Sequence, residues 1–183
     1  MPFNFTKLEI PEVILIEPKI FKDERGFFVE VYKSTDFFKA GIDKNVLQVN
    51  HSKSQKNVLR GLHYQKKPAA QAKFVTVVEG EIFDVAVDIR KKSPYYGRWV
   101  AAKLSSKNKN MLYIPEGFAH GFCVLSSIAQ VIYYCTDVYD SKEERGIIWS
   151  DQQLKIRWPV RRPIVSKKDS LYPEFAKADN NFI

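Results

Sequence analysis

The 183 residues suit one ordinary domain, with or without an extended terminal arm, and a 45% apolar content with 13 Phe, 9 Tyr and 3 Trp excludes a disordered chain. Lys and Arg outnumber Asp and Glu by 29 to 21, and the net charge of +8 suits a phosphate-bearing partner. The basic residues are scattered, at Lys91-Lys92, Lys103 to Lys109 and Arg161-Arg162, which predicts a solvated surface with a local anion site and argues against a nucleic-acid groove.

The chain begins MPFNFTKLEIPEVILIEPKIF, whose apolar VILI stretch is too short to cross a bilayer and is followed by no cleavage site. A cytoplasmic protein with no membrane partner is expected. Short runs rich in Val, Ile, Phe and Tyr then recur at 13–16, 26–32, 46–49, 74–78, 82–89, 99–104, 111–114 and 130–138, separated by turn formers. That is the pattern of an all-β sandwich or barrel. A helix is predicted only over Ser34 to Gly41, with Ser34 or Thr35 as N-cap and Gly41 ending it. The segment KFVTVVEGEIFDVAVDIR reads as a hairpin turning at Glu79-Gly80, where a glycine supplies positive φ. In its second arm Phe83, Val85, Val87 and Ile89 share one face, and Ile82, Asp84, Ala86 and Asp88 the other. The first face predicts core, and the second directs carboxylates to a polar cavity or to solvent.

Cys123 and Cys135 lie in apolar runs and read as buried free thiols. Beyond Trp158-Pro159 alternation is lost, which predicts loops, a short helix or turn, and a tail on the surface. No repeat or Gly/Ser linker divides the sequence, so residues 1–183 are expected to form one domain. Exposed β-edges and the EVILIEPKIF strand point to a homodimer, with that N-terminal strand exchanged between protomers.

Three histidines limit the search for a base: His51 in QVNHSKS, His63 in VLRGLHYQ and His120 in IPEGFAHGF. Arg60 and His63 would face opposite sides of a regular strand, and both serve one pocket only if Gly61 introduces a bulge. Tyr133 and Tyr139 are six apart in a strand-like run and are expected to share a face, with Tyr134 on the other. A half-buried phenol can donate a proton, while a second can form a stacking wall. Two amphipathic aromatics closing a barrel would give the same pattern.

Six separated segments together resemble the dTDP-4-dehydrorhamnose 3,5-epimerases: DERGFFVE at 23–30, NHSKS at 50–54, VLRGLHYQ at 58–65, GEIFDVAVDIRKKSP at 80–94, IPEGFAHGF at 114–122 and SKKD at 166–169. The resemblance implies a cupin-type double-stranded β-helix, or jelly roll, with short accessory helices. It implies epimerisation at C3 and C5 of dTDP-4-keto-6-deoxy-D-glucose, an isomerase step of dTDP-L-rhamnose biosynthesis that uses no cofactor or metal. By motif position His63 is the base, Asp169 its orienting partner with Asp84 as second choice, Lys73 the cation for an enolate oxygen, and Tyr133 the acid. Arg25, Glu30, Gln48, Asn50, Arg60, His120, Tyr139, Glu144 and Lys168 carry over as substrate contacts. Arginines 25 and 60 suit the diphosphate, since guanidinium forks match phosphate oxygens.

Three other readings compete. A metal-dependent cupin needs two or three histidines plus a carboxylate, whereas His63-Tyr64-Gln65 lacks the second histidine of an HxH pair. A non-catalytic sugar-nucleotide binder would have no use for an acid–base pair. A single-site epimerase could use the same base and acid, with the choice of carbon set by pocket geometry.

Overall fold

The structure, a computed structural model, describes residues 2–183. In chain order the strands are β1 (Phe3–Lys7), β2 (Ile14–Pro18), β3 (Ile20–Asp23), β4 (Gly26–Val29), β5 (Gln48–Gln55), β6 (Leu59–Gln65), β7 (Lys73–Glu79), β8 (Glu81–Asp88), β9 (Trp99–Ser105), β10 (Met111–Ile114), β11 (Phe118–Val124), β12 (Ile128–Cys135) and β13 (Glu144–Gly146). One helix, α1 (Ser34–Lys39), precedes β5, and two 3-10 turns, Asp169–Leu171 and Phe175–Lys177, lie near the C-terminus.

A six-stranded sheet in the order β1-β2-β10-β7-β12-β5 faces a five-stranded sheet in the order β13-β6-β11-β8-β9, and β3–β4 forms a separate two-stranded ribbon. Every pairing between these strands is antiparallel. The fold is therefore the expected all-β jelly roll. The segment read as a hairpin at Glu79-Gly80 is instead a corner between the sheets, because β7 pairs with β10 and β12 while β8 pairs with β11 and β9. Gly80 has φ +80°, and a Cβ there would lie 2.0 Å from the Ile128 carbonyl oxygen, so the crossing leaves room for glycine alone.

The rows of inward side chains explain where a cavity can open. On β7 Val75 and Val77, on β12 Val131, on β8 Ile82 and Ala86, and on β11 Phe118 and Phe122 fill one end of the space between the sheets. Each such side chain withdrawn from water contributes about 1.5–3 kcal/mol. Continuing along the same inward rows, β7 next presents Lys73 and β12 presents Tyr133 and Cys135. The interior thus turns from apolar to polar along single strands.

Both outer faces are covered. Phe3, Phe5, Tyr32 and Phe74 surround Phe37 of α1 over the six-stranded sheet, with ring centroids 4.7 to 5.5 Å from that of Phe37. The N-cap of α1 is Lys33, without a side-chain cap, in place of Ser34 or Thr35, and Gly41 at φ +84° ends the helix as expected. Over the five-stranded sheet, Leu154, Phe175 and Phe182 pack on Leu62, Val85 and Ile89. The segment after Trp158 is therefore a cover on the sheet and not only a surface tail. Consequently both faces of β8 are buried: Asp84 and Asp88 have 0% exposure, and Asp88 is held by Arg90 and Ser93.

Candidate active site

The polar end of the interior is a cavity of about 390 Å³, within the range of small-molecule sites. Its lining includes Gln48 and Asn50 of β5, His63 and Gln65 of β6, Lys73 of β7, Tyr133 and Cys135 of β12, Glu144 of β13, and Gln71 and Tyr139 from loops. His63 and Glu144 belong to the five-stranded sheet, and Lys73 and Tyr133 to the six-stranded one. A ligand between the sheets meets the imidazole from one wall and the phenol and ammonium from the other.

β6 carries the irregularity that the sequence required. Gly61 has φ +131°, and the register against β11 shifts so that Arg60 opposes Phe122 and His63 opposes His120. A regular strand would place Arg60 and His63 on opposite faces, but the bulge turns both inward. They line a second opening of about 260 Å³ with Val58, Ile164, Ser166 and Asp169. Arg60 donates to Ser54 Oγ at 3.0 Å.

The half-buried His63 ring lies with Nε2 2.9 Å from Oδ1 of the buried Asp169, leaving Nδ1 free to act on a ligand. Asp169 Oδ2 accepts from the Gly61 amide at 3.1 Å, and the Asp169 amide donates to Ser166 Oγ at 3.0 Å. Burial raises the Asp169 pKa, but the His63 hydrogen bond and charge, with the Gly61 and Ser166 hydrogen bonds, outweigh it and hold the carboxyl below its ordinary value. Asp84, the second choice as partner, sits 2.7 Å from His120 Nε2 instead. That pair is buried, and His120 stands opposite His63 on β11 without itself lining the cavity.

Desolvation decides the shifts of Lys73 and Tyr133. It pulls the Lys73 ammonium below its ordinary pKa, against the opposing charges of Cys135 and Glu144, and it pushes the Tyr133 phenol up, against the Arg60 guanidinium. Glu144 is raised by burial but lowered further by Lys168 and Tyr139, both of which donate to its Oε2, the phenol at 2.6 Å. Tyr139 reaches the cavity from a loop, because β12 ends at Cys135, and not through the strand parity expected for it.

Gln65 and Gln71 were not singled out, yet they build this loop. Gln65 donates to the Ala69 and Val138 carbonyls at 2.6 and 3.2 Å and accepts from the Asp140 amide at 2.9 Å, and Gln71 donates to the Asp137 carbonyl at 2.7 Å. Gln48 accepts from the Tyr139 amide at 2.7 Å. The parity of Gln65 with His63, and of Cys135 with Tyr133, was the signal that could have found two of these wall residues. Arg25 lies elsewhere: its side chain is 85% exposed on the β3–β4 ribbon, ion-paired with Asp23 at 2.6 Å, and neither it nor Glu30 lines the cavity. Among the described residues no three His, Cys, Asp or Glu side chains converge as metal ligands would, and no helix is long and apolar enough to cross a membrane.

Comparison with known proteins identifies the family and the fold. The dTDP-4-dehydrorhamnose 3,5-epimerase family pattern matches residues 7–177. The dTDP-4-dehydrorhamnose 3,5-epimerase of Shigella flexneri is 54% identical over 177 residues, covering 96% of this chain and 98% of that protein. The enzyme of the same description from Pseudomonas aeruginosa is 50% identical over 95% of this chain and 97% of its own length. The crystal structure of the dTDP-6-deoxy-D-glucose-3,5-epimerase of Legionella pneumophila in complex with dTDP-4-keto-L-rhamnose superposes with a TM-score of 0.94 at 46% identity, covering 97% of this chain and 95% of that one. The chain belongs to the dTDP-4-dehydrorhamnose 3,5-epimerase family.

Proposed function

We propose that this chain epimerises C3 and C5 of dTDP-4-keto-6-deoxy-D-glucose, giving dTDP-4-keto-L-rhamnose in dTDP-L-rhamnose biosynthesis, with His63 as base and Tyr133 as acid. The observation that carries this reading is that the base and the acid stand on opposite sheets around one cavity. A ketone at C4 acidifies the hydrogens on C3 and C5. His63 removes one as a proton, the carbon–hydrogen electron pair moves into the ring, and the carbonyl oxygen becomes an enolate oxygen that Lys73 stabilises. The Tyr133 hydroxyl then returns a proton to the opposite face, with Arg60 favouring the phenolate, and the cycle closes when the His63 imidazolium gives its proton to solvent and the phenolate takes one back. Asp169 fixes the His63 tautomer and supports the imidazolium. The substrate is only rearranged, so these steps call for no redox cofactor.

The nucleotide would run across the mouth, past Gln48, Asn50, Tyr139 and the Glu144–Lys168 pair, with Arg60 toward the diphosphate. Arg25 and Glu30 can join those contacts only if a second copy brings them, which favours a homodimer. In support, Phe21 and Phe28 pair on one face of their ribbon at 45% and 64% exposure, apolar surface suited to burial against a partner. β2 lies inside its own sheet between β1 and β10, so in this reading the ribbon that follows it makes the exchange. One domain over 1–183 and a cytoplasmic location complete the reading, the latter in keeping with two free, buried cysteines.

The test is deuterium incorporation from heavy water into dTDP-4-keto-6-deoxy-D-glucose, followed by NMR without added metal. Exchange at C3 and C5 is expected. Exchange at one carbon would select a single-site epimerase, and exchange at neither by folded protein would defeat the proposal.

A further inference from the structure

Cys135 has no part in the steps above, yet it occupies the centre of the wall that holds Lys73. It lies opposite Gln48 on β5 and opposite Lys73 on β7, so a single rung Gln48–Cys135–Lys73 crosses three strands on the inward face. Directly opposed residues on one face have Cβ atoms about 4.5–5.5 Å apart, close enough for the thiol to be an immediate neighbour of the lysine stem. All three residues line the cavity, and Cys135 itself is 1% exposed.

The hydrogen bonds along this wall have one direction. The Tyr139 amide donates to Gln48 Oε1 at 2.7 Å, Gln48 Nε2 donates to Asn50 Oδ1 at 2.9 Å, and Asn50 Nδ2 donates to Cys135 Sγ at 3.6 Å. Each amide is thereby oriented, and the chain ends on the sulfur beside Lys73. We propose that Cys135 is the positioning residue of Lys73: a neutral, oriented sulfur that seats the ammonium without pairing it and ties it to the Tyr139 loop at the cavity mouth. A carboxylate in its place would neutralise the charge that the enolate oxygen needs, and an aliphatic side chain would leave the lysine without a polar partner in its own rung on this strand.

The titratable groups that share the cavity with Lys73 are Cys135 and Tyr133 of β12, Glu144 of β13, His63 of β6 and Tyr139 of the loop, with β5 contributing the neutral amides Gln48 and Asn50. Burial lowers the Lys73 pKa and raises that of the Cys135 thiol, so the sulfur beside the lysine is a neutral polar neighbour and not a counter-charge. Removing the sulfur removes a polar neighbour of the buried ammonium, which favours its neutral form.

The proposal rests on the role given to Lys73, and its test separates the two. Cys135→Val, close to isosteric, and Cys135→Ser are compared with the unmodified protein. One measurement is kcat and KM for deuterium exchange against pH, and the other is labelling of Lys73 by acetic anhydride against pH, read by mass spectrometry. In Cys135→Val we expect kcat to fall about tenfold with KM unchanged, the size of effect that follows a small misplacement of a reacting group. The alkaline limb and the labelling midpoint should both move to lower pH, and Cys135→Ser, which keeps an acceptor for Asn50, should restore most of each. A fall in kcat with an unmoved midpoint would mean that Cys135 only fills space, and an equal shift in both variants would show that the acceptor is irrelevant. Either result overturns the proposal. A moved midpoint in a protein that exchanges no deuterium would uphold the link between Cys135 and Lys73 and refute the epimerase reading.

Discussion

Asp169 holds two groups of β6 at once: one carboxylate oxygen lies 2.9 Å from His63 Nε2, and the other accepts the Gly61 amide at 3.1 Å. The imidazole and the bulge that turns it inward therefore share one anchor, brought by a 3-10 turn whose Asp169 follows His63 by 106 residues. His63→Ala should abolish exchange. Asp169→Asn keeps an acceptor for the Gly61 amide but loses the charge that supports an imidazolium, so kcat should fall by about 10²- to 10⁴-fold, the range of a general-base contribution. KM should hardly change. Steady-state deuterium exchange checks both, and an Asp169→Asn protein at full rate would remove Asp169 from the mechanism.

Tyr133 and His63 belong to opposite sheets, so proton removal and proton return are separable. Tyr133→Phe leaves the base, the orienting carboxylate and Lys73 in place. Solvent deuterium should still enter C3 and C5, because the enolate can be reprotonated on the face it came from, while the yield of inverted product drops by about 10²-fold or more. Following isotope content and stereochemistry in the same NMR sample decides the matter. Full-rate inversion would exclude the phenol as acid.

The Asp169 carboxyl has a folded pKa below its ordinary value, so it binds fewer protons folded than unfolded. Its contribution to stability is fully present above an unfolded aspartate pKa of about 3.9 and is lost as pH falls through the lowered folded value. Thermal melts of the unmodified protein and Asp169→Asn should therefore differ by a constant amount near neutrality and converge in acid below about pH 4. Glu144 is lowered in the same sense by Lys168 and Tyr139 and adds to the acid limb. A gap that persisted unchanged into strong acid would contradict the sign of the Asp169 shift.

Legibility in the sequence followed the hydrophobic period. β2, β7, β8, β9, β10 and β12 were read where they occur because their apolar residues alternate or run unbroken between turns. β6 was read as a motif and β11 as a strand-like run only around Cys123, since glycine and histidine interrupt LRGLHYQ and FAHGFCV, and every residue of β11 is buried, which erases alternation. The same two strands carry His63 and His120, so two of the candidate residues lie where the strand pattern was weakest. The Glu79-Gly80 segment shows the converse: local pattern specified two strands and a turn, but whether they pair with each other depends on partners far away in sequence. The Asp84 carboxylate was ambiguous for the same reason, since only the register of β8 against β11 brings it to His120.

Gly61 offers the sharpest test of how the fold builds the site. It combines φ +131° with an approach so close that an added Cβ would lie 2.5 Å from the Gly121 Cα and 2.9 Å from the His120 carbonyl oxygen. Both obstacles are backbone of the neighbouring β11, which cannot step aside as a flexible side chain would. Gly61→Ala must either push β6 away from β11 or return the bulge to a regular conformation, and the second path rotates Arg60 out of register with His63. A cost of about 3 kcal/mol or more is expected, from strain at a positive φ together with the steric clash. Melting should show that loss, and any folded fraction should exchange deuterium far more slowly than its stability alone would explain. An alanine variant with unchanged melting and unchanged exchange would mean that the bulge is not what sets His63.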